Sequence, residues 1–204
     1  MKDAAIVYLV DDEPGMLKAL ARLLGGEGFP VKSFDSAKTF LAEPTPHGCV
    51  ILDVAMPEMN GLEVLRLLRA KGSHLPVIFL TGHGDIPMSV RAIKSGAVDF
   101  LTKPVQSDDL IRAVNSALDL LGKSDQKQEE VERLRILYAQ LTSREKEVMA
   151  HVISGKPNKQ IAFTLGTIEQ TVKIHRMRVM HKMQAKSIVD LVHIAQSLGV
   201  SAAE

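Results

Sequence analysis

The chain has 204 residues, of which 46% are hydrophobic and 24% charged, a composition that fits a globular protein with one or two domains. The single Cys49 excludes an intramolecular disulfide. The N-terminal apolar run of seven residues is too short for a membrane span and lacks a signal peptide's cleavage pattern. We therefore expect a soluble, cytoplasmic protein. Residues 1–121 carry 12 basic and 15 acidic side chains, whereas residues 122–204 carry 13 and 9, so we expect two domains with different partners, the second partner anionic.

Short apolar runs alternate with helical patterns through the first half of the chain. Runs typical of buried strands lie at residues 4–10, 31–34, 49–52, 77–80 and 98–101. The stretches after the first, third, fourth and fifth runs place apolar residues at helical spacing, as Leu17, Leu20 and Leu24 do after the first run. Apolar strands that alternate with helices are typical of parallel sheets covered on both faces. We therefore predict a doubly wound α/β domain that ends near Leu121.

Residues 122–132 contain almost no apolar side chains, which predicts a linker between the two domains. Apolar residues on both sides repeat at spacings of three and four, which also fits one long helix with a dimer seam. The residues of this repeat are Leu110, Val114, Ala117, Leu121, Val131, Leu134, Tyr138 and Leu141. Both alternatives stay open. The predicted organisation is a first domain over residues 1–121, a linker over 122–140 and a second domain over 141–204.

Polar side chains follow four of the predicted strands. Asp11 and Asp12 come after the first strand, Asp53 after the third, Thr81 after the fourth and Lys103 after the fifth. Ligands of open α/β sheets bind at this edge, and clustered carboxylates repel one another unless a cation lies among them. Hard oxygen ligands favour Mg²⁺, and a carboxylate is a feasible nucleophile for a phosphoryl group. Each residue alone has a structural explanation, but their coincidence at four strand ends indicates a site for phosphoryl transfer.

The motifs VDDE, LDVAMPEMNG, FLTGHGD and FLTKPV occur in this order within residues 4–121. Together they resemble the receiver domains of two-component response regulators. The resemblance implies a flavodoxin-like fold and Asp53 as the acceptor of phosphate from a sensor histidine kinase. It also implies Mg²⁺ as a cofactor, held by Asp12, Asp53 and the backbone carbonyl of Ala55, with Asp11 acting through water.

The resemblance further implies how the phosphate is sensed. Thr81 and Lys103 would contact the phosphoryl group, and the peptide bond between Lys103 and Pro104 would be cis, as proline permits. Phe100 lies where the family has a switch aromatic whose rotamer follows Thr81, although a role as plain core is an open alternative. Gly82 either keeps the phosphate accessible or serves as a turn glycine.

The last third of the chain has only helical patterns. Breaks at residues 155–157 and 165–167 divide it into three helices, with capping boxes predicted at Thr142 with Glu145 and at Thr167 with Gln170. Asn158 is a further candidate N-cap. The helix over residues 169–183 is basic and follows a short turn, which is typical of helix-turn-helix domains. A small bundle with a solvated basic face is the alternative.

The motifs LTSREKEV, NKQIA and TVKIH, within residues 141–200, resemble the four-helix DNA-binding domain of the LuxR, NarL and FixJ type. The resemblance implies that Lys173, Ile174 and Met177 point at the major groove. Met177 departs from the basic residue that some relatives have at this position, which leaves the base preference open. The other predicted DNA-binding residues are Asn158, Lys159, Thr171, Arg176 and Arg178.

Together, these patterns predict an α/β, flavodoxin-like, doubly wound five-stranded receiver domain plus a small all-α helix-turn-helix domain. The predicted protein is a transcriptional regulator that is phosphorylated on Asp53, dimerises, binds promoter DNA and is not an enzyme. Its predicted partners are DNA, a sensor histidine kinase and a second copy of the chain, with no membrane. One alternative is a Mg²⁺-dependent phosphohydrolase with Asp53 as nucleophile, which Ala55 disfavours because such enzymes need an acid there. The other is a DNA-binding protein that does not depend on phosphorylation.

Overall fold

The computed structural model describes residues 5–44, 46–82 and 86–203, and the side chains of residues 86–89 are outside this description. The chain divides into two compact units, Met1–Ser124 and Asp125–Glu204. In the described ranges, no helix is long and apolar enough to cross a membrane.

The first unit contains a five-stranded sheet in which every pair of neighbouring strands is parallel. The strands are β1 (Ile6–Val10), β2 (Val31–Phe34), β3 (Gly48–Asp53), β4 (Val77–Thr81) and β5 (Asp99–Thr102). The order across the sheet is β2-β1-β3-β4-β5, so the direction of winding reverses between β1 and β3. The predicted fold is confirmed, and every strand lies within two residues of its predicted bounds.

Helices cover both faces of this sheet, as the continuous apolar strands predict. They are α1 (Pro14–Gly26), α2 (Ala37–Leu41), α3 (Gly61–Ala70), α4 (Ile86–Lys94) and α5 (Ser107–Ala139). On one face, side chains of α1 and α5 pack against alternate residues of β1, β3 and β4. On the other face, side chains of α2, α3 and α4 pack against the intervening residues. Cys49 is fully buried on the α1 side, and this burial raises the pKa of its thiol to about 12.

Helix α5 runs without interruption through residues 122–132, so the segment is helical. The apolar residues that flank this segment pack in the hydrophobic cores of the two units. Leu110, Val114 and Ala117 are buried against the sheet, and Leu134 and Leu141 are buried in the core of the second unit. These five residues are therefore unavailable for a dimer seam.

The second unit packs four further helices around one apolar core. They are α6 (Ser143–Ile153), α7 (Asn158–Thr164), α8 (Glu169–Lys182) and α9 (Ile188–Leu198). The capping box of Thr142 with Glu145 is confirmed at the start of α6. The second predicted box is wrong, because Ile168 is the N-cap of α8 and its side chain accepts no cap hydrogen bond.

The turn before α8 explains why Thr167 does not cap it. Gly166 has a φ of +61°, which ends α7 in the left-handed conformation that glycine adopts at little cost. The backbone N–H of Thr167 then donates to the carbonyl of Ala162, so Thr167 closes the end of α7 and lies one residue before the α8 cap. The predicted N-cap at Asn158 is also wrong, because Asn158 is the first residue of α7 and Pro157 is the N-cap of that helix.

Candidate functional site

Three charged side chains meet at the carboxyl edge of the sheet. Lys103, just after β5, places Nζ 2.8 Å from Oδ2 of Asp11 and 3.0 Å from Oδ1 of Asp53. Asp11 is 2% exposed and Asp53 is 4% exposed, whereas Asp12 is exposed to solvent. Because Asp11 follows β1 and Asp53 ends β3, the site lies where the winding of the sheet reverses.

The chain after β3 fixes the carboxylate of Asp53. Its Oδ2 accepts a hydrogen bond from the backbone N–H of Ala55 at 3.0 Å. The carbonyl of Val54 accepts from the N–H of Gly61 at 3.1 Å, which draws the start of α3 against the end of β3. A Cβ at Gly61 would lie 2.5 Å from the carbonyl oxygen of Asp53, so only glycine permits this approach. Gly61 ends the motif LDVAMPEMNG, but nothing in the local sequence pattern predicts this close approach.

The ends of β4 and β5 complete the edge. The backbone N–H of Lys103 donates to the carbonyl of Thr81 at 2.7 Å, and the peptide bond between Lys103 and Pro104 is cis, as predicted. Thr81 is buried, whereas Gly82 is exposed. A Cβ at Gly82 would meet no atom of the described residues within 4 Å.

Burial and ion pairing act on the charged groups of the pocket in opposite directions. Burial raises the pKa of Asp53, the nearby Asp11 charge adds to the rise, and the hydrogen bond from Lys103 opposes it. Burial alone would lower the pKa of Lys103, but its hydrogen bonds to Asp11 and Asp53 outweigh that effect and raise it. Glu13, 67% exposed, has Oε1 3.6 Å from the same Nζ. One ammonium therefore faces two buried carboxylates and a third at the rim.

The predicted Mg²⁺ ligands are only partly brought together. Asp11 and Asp53 share Lys103 as their cation, but no three acidic, histidine or cysteine side chains within the described ranges are close enough to form a metal centre. The donors present are nevertheless hard carboxylate oxygens, and burial disfavours the charged form of Asp53. Carboxylate oxygens are suitable ligands for a small divalent cation, and such a cation would offset the cost of the buried charge on Asp53. The exposed Asp12 would supply a third carboxylate beside Asp11 and Asp53.

Phe100, on β5, is half-buried and packs against the core of the α2 to α4 face. Its ring centroid lies 6.5 Å from that of the buried Phe79, at an interplanar angle of 58°. This packing agrees with the alternative in which Phe100 is part of the hydrophobic core. The role of Phe100 as a switch aromatic stays a prediction.

The predicted DNA-binding residues form two groups in the second unit. Lys173, Ile174, Met177 and Arg178 are exposed on α8, as is Lys159 on α7. Arg176 is instead half-buried, and its Nη1 donates to Oδ1 of Asn158 at 2.8 Å. Arg176 and Asn158 therefore join α7 to α8 in this conformation, while Thr171 is half-buried near the start of α8.

A polar network that the sequence pattern does not predict fixes the C-terminal end of α8. Nζ of Lys182 donates to Oε2 of Glu145 at 2.7 Å and to the carbonyl of Gln140 at 3.1 Å. Glu145 is 2% exposed, and the hydrogen bond from Lys182 lowers its pKa. Arg144 donates to the carbonyl of Leu165 and so holds the end of α7. The capping box identified Glu145, but nothing in the local pattern identifies a partner 37 residues away.

Comparisons with known proteins agree with both halves of this structure. Residues 7–115 match the model of the response regulator receiver domain, and residues 139–195 match that of bacterial regulatory proteins of the luxR family. Response regulator protein TmoT of Ectopseudomonas mendocina is 44% identical over 196 residues, covering 95% of this chain and 89% of TmoT. The chain belongs to the response-regulator family. It is therefore a response regulator with a receiver domain and a LuxR-type DNA-binding domain.

Other relatives extend the agreement over nearly the whole response regulator. Transcriptional regulatory protein FixJ of Rhizobium meliloti strain 1021 is 40% identical over 195 residues, covering 95% of this chain and 96% of FixJ. The solved structure of the response regulator StyR is 42% identical, with a TM-score of 0.79, and covers 95% of this chain and 99% of StyR. These findings confirm the predicted family, fold class and general function in regulating transcription.

Proposed function

We propose that transfer of one phosphoryl group to Asp53 gates DNA binding through α8. The observation that carries the proposal is the pairing of two buried carboxylates, Asp11 and Asp53, around the single ammonium of Lys103. The phosphoryl donor would be a phosphohistidine of a sensor kinase. An oxygen of Asp53 forms a bond to phosphorus while the bond from phosphorus to the imidazole nitrogen breaks, and the imidazole leaves with a proton from solvent.

Each side chain of the pocket has a distinct part in this step. Lys103 would move its ammonium from Asp53 to the new phosphoryl oxygens, because these carry the greater negative charge. The hydroxyl of Thr81 would donate to another of these oxygens, and the exposed Gly82 leaves room for the donor. Bound Mg²⁺, held by Asp11, Asp12, Asp53 and the carbonyl of Ala55, would neutralise charge on the transferring group.

The conformational change that follows phosphorylation would take place along β5 and α4. Phosphorylation would draw Thr81 toward the pocket, and Phe100, which now packs beside Phe79, would follow into the space released. The exposed Arg91 and Lys94 of α4 belong to the face that would then pair with a second copy. Met88 would belong to the same face, although its side chain is outside the described residues. Two paired chains would present two α8 helices to the half-sites of a promoter.

In this proposal the protein acts in the cytoplasm and is not itself an enzyme. Ala55, two residues after Asp53, offers no acid to protonate the leaving group of a phosphoester, which disfavours an enzyme that turns over such substrates. The rival phosphohydrolase requires repeated turnover at the same carboxylate. The rival constitutive DNA-binding protein requires that DNA occupancy be independent of Asp53.

One labelling experiment separates the proposed phosphorylation of Asp53 from the phosphohydrolase. The full-length protein is incubated with acetyl phosphate and Mg²⁺ and its intact mass is measured, with Asp53→Asn as the test variant and the exposed surface change Asp35→Asn as the control. We expect the wild type and Asp35→Asn to gain one alkali-labile phosphoryl group and Asp53→Asn to gain none. Many turnovers of a phosphoester by the wild type would instead support the hydrolase, and labelling of Asp53→Asn would overturn the proposal.

A further inference from the structure

Helix α8 carries apolar side chains on two sides. Val172, Val179 and Met183 are at most 1% exposed and form part of the core of the second unit. Ile174 and Met177 are 39% and 66% exposed and contribute nothing to that core. A helix needs only one apolar stripe to pack against its domain, so the fold does not account for the second pair.

The exposed pair lies within a basic surface. Residues three and four apart on a helix share a face, so Ile174 and Met177 lie one turn apart with Lys173 and Arg178 beside them. Nζ of Lys173 lies 3.7 Å from a carboxylate oxygen of Glu169 on the same helix. Charged side chains thus flank a small apolar centre, which is the arrangement expected where phosphates are held at the edges and base edges are read in the middle.

We infer that α8 reads the 5-methyl groups of thymine through Ile174 and Met177. This inference rests on the proposed function, in which α8 is the helix that enters the major groove. Isoleucine has no hydrogen-bonding group, and the methionine sulfur is only a weak acceptor. Of the groups that base pairs present in the major groove, only the thymine methyl is apolar. Every base pair also presents polar groups in the major groove, so the preference for thymine at these positions comes from its methyl group alone.

The two side chains would read different base pairs. Met177 is the more exposed and has the longer, more flexible side chain, so it can reach one methyl group without a change in the backbone. Ile174, one turn nearer the start of α8, would contact the methyl group of a neighbouring pair. Burial of one methyl group corresponds to about a fourfold gain in affinity, so each contact contributes a modest but measurable preference.

The test uses DNA in which thymine is replaced by deoxyuridine, which removes only the methyl group. Full-length protein, treated with acetyl phosphate and Mg²⁺, first selects a duplex from a random library. Each thymine of the selected site is then replaced singly, and Kd is measured by fluorescence anisotropy at one salt concentration. We expect about a fourfold loss at two positions in each half-site, with the loss at one position absent in Met177→Ala and at the other absent in Ile174→Ala.

The variants include controls for folding and for general affinity. Both alanine changes are at exposed positions, so circular dichroism should show unchanged helix content. Arg178→Ala should weaken binding to every duplex alike and leave both deoxyuridine effects intact. This inference would be overturned if no deoxyuridine replacement changed the Kd of the wild type, or if both alanine variants lost affinity at the same positions as the wild type. Either result would leave the proposed DNA binding intact. Failure to select any duplex would overturn the proposed function and this inference together.

Discussion

Replacing Lys103 by methionine removes the ammonium that pairs with both buried carboxylates, while keeping a side chain of similar length. Removal of one partner of a buried ion pair costs about 3–5 kcal/mol, because the other charge stays buried without compensation. Here 13% of the Lys103 side chain is exposed, against 3% and 5% for Asp11 and Asp53. Solvent therefore screens part of the effect, and we expect Lys103→Met to lose about 3 kcal/mol at neutral pH.

The loss should depend on pH in a definite direction. Burial holds the folded-state pKa of Asp53 above its ordinary value, so stability linked to this group is present at low pH and decreases as pH rises through the folded-state pKa. The ammonium of Lys103 opposes that rise, and its removal raises the pKa of Asp53 further. The gap in stability between Lys103→Met and the wild type should therefore narrow as pH falls and Asp53 becomes protonated.

Hydrogen exchange of the β3 amides in the full-length chain measures this loss, because opening of a central strand reports on the first unit alone. The matched control is Lys32→Met, which breaks an ion pair with Glu43 at 2.7 Å on the surface of the same unit, where Lys32 is 47% exposed. We expect that change to cost less than about 1 kcal/mol. An equal cost for both variants, or a gap that widens as pH falls, would refute the electrostatic account of the pocket.

Two further changes test the structural supports of the site and of the DNA-binding domain. Gly61→Ala should lower stability by about 1–3 kcal/mol and slow phosphorylation, because its Cβ would displace the backbone of the acceptor, whereas Gly82→Ala should change stability by less than about 0.5 kcal/mol. Equal hydrogen exchange of β3 in both variants would contradict this. Glu145→Gln should reduce protection of α6 amides by about 1.5–3 kcal/mol at neutral pH, whereas the exposed Glu147→Gln should have little effect. Because the folded-state pKa of Glu145 is lowered, the wild-type advantage should disappear as pH falls through that pKa, and an advantage that persisted there would argue against the ion pair.

The sequence predicts most of the first unit because its three central strands, β1, β3 and β4, are buried on both faces. A run such as Cys49 to Leu52 needs cover above and below the sheet, so its apolar residues are continuous and its bounds are easily read. Helix α2 was not predicted. It has only five residues, with Ala37 and Phe40 buried, and this is too short for a helical period to be recognised.

The long-range contacts of the sites are much less visible in the sequence. Motif order predicts that Asp11, Asp53 and Lys103 share one edge, but not that Lys103 bridges the two carboxylates. The choice between an irregular linker and a helix at residues 122–132 was also undecided, because that segment is polar all round. Packing of α5 residues against both cores resolves it, and packing is a tertiary effect that local propensity does not contain.

The central claim is that a phosphoryl group on Asp53 controls how strongly this response regulator binds DNA. The most direct test is the affinity of the full-length protein for its selected duplex, with and without acetyl phosphate in the presence of Mg²⁺, for the wild type and Asp53→Asn. The account predicts that the phosphodonor increases the affinity of the wild type at least tenfold and leaves that of Asp53→Asn unchanged. Equal affinities for the wild type in both conditions, with Asp53 shown to be phosphorylated, would contradict it.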